Sequence, residues 1–247
     1  MWLVLCDEAD ASARWVWDGL RRRSVAVELV PTRLLSAALR WNHRIGPDGA
    51  SFAVDLPDGR CVESRAVHAT LNRVVSLSPP SEYAASPDGE YALQELLALY
   101  LSLLRCLSPP VLNPSSPQGL AGRLRYAPEW TALASRAGFT TDPFRVASTE
   151  ERTDPRTTDH SGRPAVLSQT LLVAAGRLFG NPVAPGVATA ACRLASLAGV
   201  DLLGVQVATT ADGTATFVSA DLYPDLRPAG DALLDHLATL GNREAGA

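Results

Sequence analysis

The chain of 247 residues contains no lysine: all 22 of its basic side chains are arginine. The abundance of Ala, Gly, Pro and Arg makes a composition bias the simplest origin. The consequence holds whatever the origin, because no mechanism that needs a lysine amine can run here. Cysteine is scarce and scattered, and Cys6, Cys61, Cys106 and Cys192 show none of the paired spacing of a zinc site. Cys6 falls in an expected core strand, and Cys106 and Cys192 fall on expected helices, which reads as buried thiols in a reducing, cytoplasmic setting. His43, His68, His160 and His236 also lack metal-ligand spacing. No stretch approaches the ~20 apolar residues of a membrane span. The opening MWLVLCDEAD turns acidic too soon for a secretory signal. A formal charge of −4 disfavours nucleic acid or an anionic membrane as partner. The only basic cluster, RRR at residues 21–23, sits at an expected helix end, where the helix dipole accounts for it.

What is present is a globular composition, 47% apolar and 19% charged, long enough for one large domain or two small ones. WLVLC (2–6) reads as a buried strand, and Ser12 is placed to cap the amphipathic helix that follows through Trp15, Val16 and Leu20. VAVELV (25–30) completes a β-α-β unit. The turn after the first strand, DEADAS, has no glycine, and Asp7, Glu8 and Asp10 would repel a phosphate, so nucleotide binding at that turn is not expected. Alternation around Pro57-Asp58-Gly59 predicts a hairpin, VHATLNRVV a further strand, and YALQELLALYLSLLRCL a long helix apolar on more than one face. That helix serves either core packing or a homodimer face. A short strand near 111 and a helix stopping near Gly138 follow. ASTEERTDPRTTDHSGRP (147–164) is polar, carries two prolines, and reads as a linker or loop. Beyond it come a hairpin turning at Ala175-Gly176, a helix ending at Gly199, a second hairpin and a closing helix.

The second hairpin, GVQVATTADGTATFVSADLYPDL (204–226), has alternating runs around Ala211-Asp212-Gly213, and its second run stops at Asp221 before Tyr-Pro. It reads either as an inert turn, with Asp221 capping a strand beside Pro224, or as a ligand-bearing strand pair. Asp225 and Arg227 are expected to pair at the surface, a contact worth ~0–1 kcal/mol.

The order of these pieces resembles the ATP-grasp superfamily, in particular the ligases that modify ribosomal peptides and the glutamate-ligase-like proteins. DLPDGRCVESRAVHATLNRVV is similar to the hairpin and strand that end the family's first domain, with LNR where the family places an arginine. VLNPSSPQGLAGRLRYAPEWTALASRAGFTTDPF is similar to its asparagine-proline stretch, helix and following strand. The resemblance implies an α/β (α+β) fold. A Rossmann-like pre-ATP-grasp domain would span 1–115, a helical connection with linker 116–165, and a truncated ATP-grasp-like lobe 166–247. Family members activate a carboxylate as an acyl phosphate, with magnesium bridging the phosphates through hard oxygen ligands. By the resemblance, the first metal position falls on neutral Gln206, the second on Asp221, and the third on Tyr223, a poor ligand. The family's phosphate-binding lysines have no counterpart here. Arginine pairs well with oxyanions, and Arg152, Arg156, Arg163 and Arg177 are the available candidates. Arg163, Arg177 and Gln206 are taken as the nucleotide-side positions and Asp221 as the metal position.

Three functions follow. The first is a homologue that has lost ligase chemistry, uses no cofactor, and binds a precursor peptide or an active ligase. The second is a working ATP- and Mg-dependent ligase with arginines in place of lysines. The third is a small-molecule or peptide binding module, with Trp15, Trp17, Trp41 and Trp130 available to line a groove.

Overall fold

The computed structural model describes residues 1–47, 49–79, 83, 85–107, 110–142, 167–209 and 215–242. The linker at 147–164, with Arg152, Arg156 and Arg163, lies outside the described residues, as does the 211–213 turn. The chain forms two compact units, Met1–Leu124 with Asp225–Ala247, and Arg125–Pro224.

In the first unit, β1 (Trp2–Cys6) is buried along its whole length. An all-apolar strand of this kind suits the middle of a parallel sheet covered on both faces. It lies between β2 (Val27–Pro31) and β6 (Ala69–Arg73), and β7 (Val111–Leu112) completes the order β2-β1-β6-β7, all parallel. Helix α1 (Ala11–Arg22) joins β1 to β2. Its cap is not Ser12 but Asp10, whose carboxylate accepts from the Ala13 N–H at 2.9 Å. Ser12, already inside the helix and buried, donates its hydroxyl to Asp225 at 2.8 Å and accepts from the Leu226 N–H at 3.1 Å. Short α2 (Thr32–Ser36) follows β2.

A second sheet is antiparallel, in the order β3 (Arg40–Gly46), β4 (Gly49–Asp55), β5 (Cys61–Glu63). The expected hairpin is the β4–β5 pair, turning through Gly59 at φ +85°. Arg60 ties this turn to the parallel sheet by donating to Glu28 at 2.6 Å and to the Leu29 carbonyl at 3.0 Å. Helix α3 (Gly89–Cys106) buries Leu96, Tyr100, Leu103 and Leu104 in the same core as Phe52 and Val54. Part of its apolar surface therefore serves core packing, while Tyr91 stays 69% exposed.

The second unit opens with α4 (Ala127–Ala137), ended by Gly138 at φ +106°. Its sheet contains β8 (Thr140–Thr141), β9 (Leu167–Ala174), β10 (Arg177–Phe179), β11 (Leu202–Thr209) and β12 (Ala215–Asp221), ordered β10-β9-β11-β12-β8. Ala175 and Gly176, both at positive φ, close the β9–β10 hairpin as the sequence indicated. Helix α5 (Pro185–Ala198) stops at Gly199 in the left-handed region. It shares a core with α4 and with Leu171, Val173, Leu203, Val205 and Val207 of the sheet.

The closing helix, α6 (Gly230–Asn242), was expected with the C-terminal lobe but packs in the first unit, against α1. A Cβ on Gly19 would lie 2.4 Å from a Leu234 methyl, so any larger residue would force the buried Leu234 side chain to shift. Arg23 donates to Asp231 at 2.8 Å and Asp235 at 2.7 Å. Arg21 lies over the Trp17 ring, 4.7 Å from its centroid. The basic cluster thus has specific side-chain partners beyond the helix dipole.

Asp10 serves two buried roles, because its second oxygen accepts from Arg73 at 2.6 Å. Asp10→Ala should cost about 3–5 kcal/mol in urea unfolding, since it removes the carboxylate of a buried ion pair together with a helix cap. Asp10→Asn, which keeps the cap, should cost less, and equal losses would contradict the dual role. Asp225 is held well below its ordinary value of 3.8, chiefly by the Arg227 guanidinium and also by the Ser12 hydroxyl. A depressed carboxyl stabilises the fold above its ordinary value and loses that contribution as pH falls below it. Asp225→Asn should therefore flatten the fall of Tm on acidification below about pH 3.8; an unchanged acid slope would contradict this.

Candidate functional site

Strand alternation divides β11 in two. Leu203, Val205 and Val207 join the helix-covered core, so Leu202, Gly204 and Gln206 belong to the opposite face. On β12 the register shifts between Gln206 and Val207: Ser219 faces Gln206, Phe217 faces Val207, and Val218 is left over as a bulge. The bulge returns Phe217 to the core, where its ring centroid lies 5.9 Å from that of Phe139. It also leaves Ser219 and Asp221 on the face of Gln206 and Gly204.

Both ends of the Gln206 amide are used. Its nitrogen donates to Ser168 Oγ on β9 at 3.2 Å, and its oxygen accepts from Ser219 Oγ on β12 at 3.1 Å. The position that the resemblance assigns to a metal ligand is therefore the centre of a neutral hydrogen-bonded row across three strands. Two residues along, Gly204 pairs with Asp221. A Cβ on Gly204 would stand 2.7 Å from Pro224 Cβ, so a glycine lets the chain after β12 fold back over β11. Asp221 is exposed, and its Oδ1 accepts from the Tyr223 N–H at 2.8 Å, forming an Asx turn. Tyr223 packs against the core of the unit.

Gln206 and Asp221 are thus neighbours on adjacent strands. Arg177 is not with them: it sits on β10, at the other side of β9 and β11, with its guanidinium 5.5 Å from the Phe179 centroid. Three strand spacings of about 4.8 Å put its backbone roughly 14 Å from β12. Arg163 lies outside the described residues. Ser168 and Ser219, the partners of Gln206, were not singled out from the sequence; the only signal was a hydroxyl at each alternating position, which strands commonly carry.

A nucleotide with magnesium needs several hard oxygen donors in near-octahedral array and cations along the phosphates. This face offers one carboxylate, partly engaged in a turn, and an amide already bonded at both ends. Among the described residues no group of three His, Cys, Asp or Glu side chains could hold a metal ion. Among the described residues, Asp221 is therefore the one anionic oxygen donor on this face beside the Gln206 amide.

The first unit has the feature that LNR marks. Asn72 is buried, donates to the Asn113 and Leu120 carbonyls at 3.0 and 2.8 Å, and accepts from the Tyr100 hydroxyl at 2.7 Å. Arg73 is buried beside Asp10. A cavity of about 550 Å³ lies at the carboxyl ends of β1, β2 and β6, lined by Asp7, Glu8, Thr32, Arg33, Ser36 and Ser76 among others. Open parallel sheets bind ligands at this end; here Glu8 pairs with Arg33, so the lining carries charges of both signs.

No family model matches the chain, and no curated protein matches it by sequence. Its fold does have solved counterparts. One is the ATP-grasp ligase PsnB complexed with minimal precursor, Mg and ADP, at 15% identity and TM-score 0.69, covering 98% of each chain. Another is the macrocyclase MdnB from Microcystis aeruginosa MRC, at 13% identity and TM-score 0.66, covering 96% of this chain and 98% of that one. A third is a RiPP-associated ATP-grasp ligase of Chryseobacterium gregarium in complex with ADP and a leader and core peptide. It matches at 8% identity and TM-score 0.68, over 99% of this chain and 96% of that one. The chain therefore has the ATP-grasp ligase fold, mixed α/β as expected. Among the described residues no helix is long and apolar enough to cross a membrane.

If the Asp221 carboxylate serves the turn, Asp221→Ala should lower stability by about 1 kcal/mol in urea unfolding without nucleotide, whereas Asp221→Asn should retain most of it. An Asp221→Ala chain as stable as the parent would contradict the assignment.

Proposed function

We propose that this protein has lost ATP-dependent ligase chemistry and acts by binding a peptide or protein partner in peptide modification. The observation that carries the reading is the Gln206 amide, tied to Ser168 and Ser219 where a charged metal ligand would be needed. The absence of lysine supports it, because phosphoryl transfer depends almost wholly on positioning and on neutralising phosphate charge. The peptide side of the reading draws on the solved neighbours, several of which hold precursor peptides. In this reading the partner is a precursor peptide or an active ligase rather than nucleic acid or membrane. The protein works in the cytoplasm without ATP or Mg, and a homodimer is compatible with the exposed part of α3.

The competing reading is an active carboxylate–amine or ester ligase, with arginines such as Arg163 and Arg177 on the phosphates, Gln206 beside them and Asp221 on magnesium. Calorimetric titration with Mg-ATP separates the two. The proposal expects no saturable heat and no shift in Tm, whereas a specific ligand at a hundred times its Kd would add about 2.7 kcal/mol of stability. Micromolar binding that Asp221→Ala abolishes would overturn the proposal in favour of the ligase.

A further inference from the structure

A second cavity of about 550 Å³ lies in the first unit between α3 and the start of β3, with Ser36 bordering both it and the cavity at the strand ends. Helical spacing sets one wall: Asp88, Tyr91 and Glu95 stand three and four residues apart and so share a face of α3, with Leu96 beside them. Trp41 and Tyr83 line the rest. Tyr83 and Tyr91 are 41% and 69% exposed, so the aromatic rim is open to solvent, while Leu96 is buried.

The charge in this cavity is one-sided. Among the described residues no arginine or histidine lines it. Asp88 makes no cap bond with its side chain, and neither Asp88 nor Glu95 enters an ion pair among the described residues. The start of α3 contributes about half a positive charge, which Asp88 at the N-cap and Glu90 in the first turn more than offset. Ser36, which also borders the cavity, has a buried hydroxyl with no hydrogen-bond partner among the described residues. Aromatic faces attract cations, and two uncompensated carboxylates add to the attraction. An anionic ligand would be repelled, and a purely apolar one would leave both carboxylates facing it unpaired.

We propose that this cavity docks a basic, apolar peptide segment. An arginine or lysine side chain lies against Trp41, Tyr83 and Tyr91 with its cation at Asp88 and Glu95, and flanking apolar residues lie against Ala92 and Leu99. The volume is that of a ligand pocket rather than of a single side-chain slot, which favours a segment over a lone amine. The proposal rests on the peptide-binding reading and gives the partner a chemistry and a place.

The test is calorimetric titration of the full chain with the peptide Ac-Leu-Arg-Leu-Arg-Leu-amide, its citrulline counterpart, an acidic counterpart with Glu for Arg, and N-acetyl-arginine amide. Saturable binding of the arginine peptide is expected, weakened about tenfold or more by citrulline replacement or by Asp88→Asn with Glu95→Gln. Both substitutions are at exposed positions, and an unchanged Tm verifies that the variant is folded. Tyr91→Ala should weaken binding in the same direction. Binding that ignores the carboxylates, or that prefers the acidic peptide, overturns the pocket assignment while leaving peptide binding standing. Equal affinity for N-acetyl-arginine amide overturns the segment. Failure to bind any peptide overturns the pocket and removes support from the broader reading as well.

Discussion

The amide of Gln206, held between Ser168 and Ser219, is the contact on which the functional account turns. Magnesium with a triphosphate needs several hard oxygen donors and cations along the phosphates. Here the face of β11 and β12 that carries Gln206 and Asp221 is bonded within itself. Its central polar group is neutral and bonded at both ends, and its one carboxylate closes a turn at Tyr223.

The first unit shows the opposite use of charge. Asp10 caps α1 and pairs with buried Arg73, Ser12 bridges to Asp225 and Leu226, and Arg23 reaches two carboxylates of α6. These contacts join segments far apart in sequence, and α1 is their common member. Charges here serve the architecture, which leaves Asp88 and Glu95 as the pair in an aromatic cavity with no cation assigned to them.

Much of this fold was legible in the sequence, for physical reasons. β1 is apolar throughout because both its faces are covered, and α4 and α5 stop at glycines because the left-handed cap excludes most side chains. The Ala175-Gly176 turn was readable because two positive φ angles select such residues. β3 was not: RWNHRIG lies at a sheet edge, almost wholly exposed, and exposure removes the apolar alternation that marks a strand. The location of α6 was also hidden. Its period shows an apolar stripe, but not that the stripe meets Gly19 of α1. The candidate site was half legible. The neutral residue at 206 and the acid at 221 could be read directly. That Ser168 and Ser219 occupy the Gln206 amide depends on strand register across 38 and 13 residues, which no local pattern encodes.

The most direct measurement is a crystal structure grown with millimolar magnesium and a non-hydrolysable ATP analogue. The account expects the Ser168–Gln206–Ser219 row to persist, with no nucleotide density against β11 and β12. A triphosphate seated there, with magnesium on Asp221 and arginines along its phosphates, would contradict it.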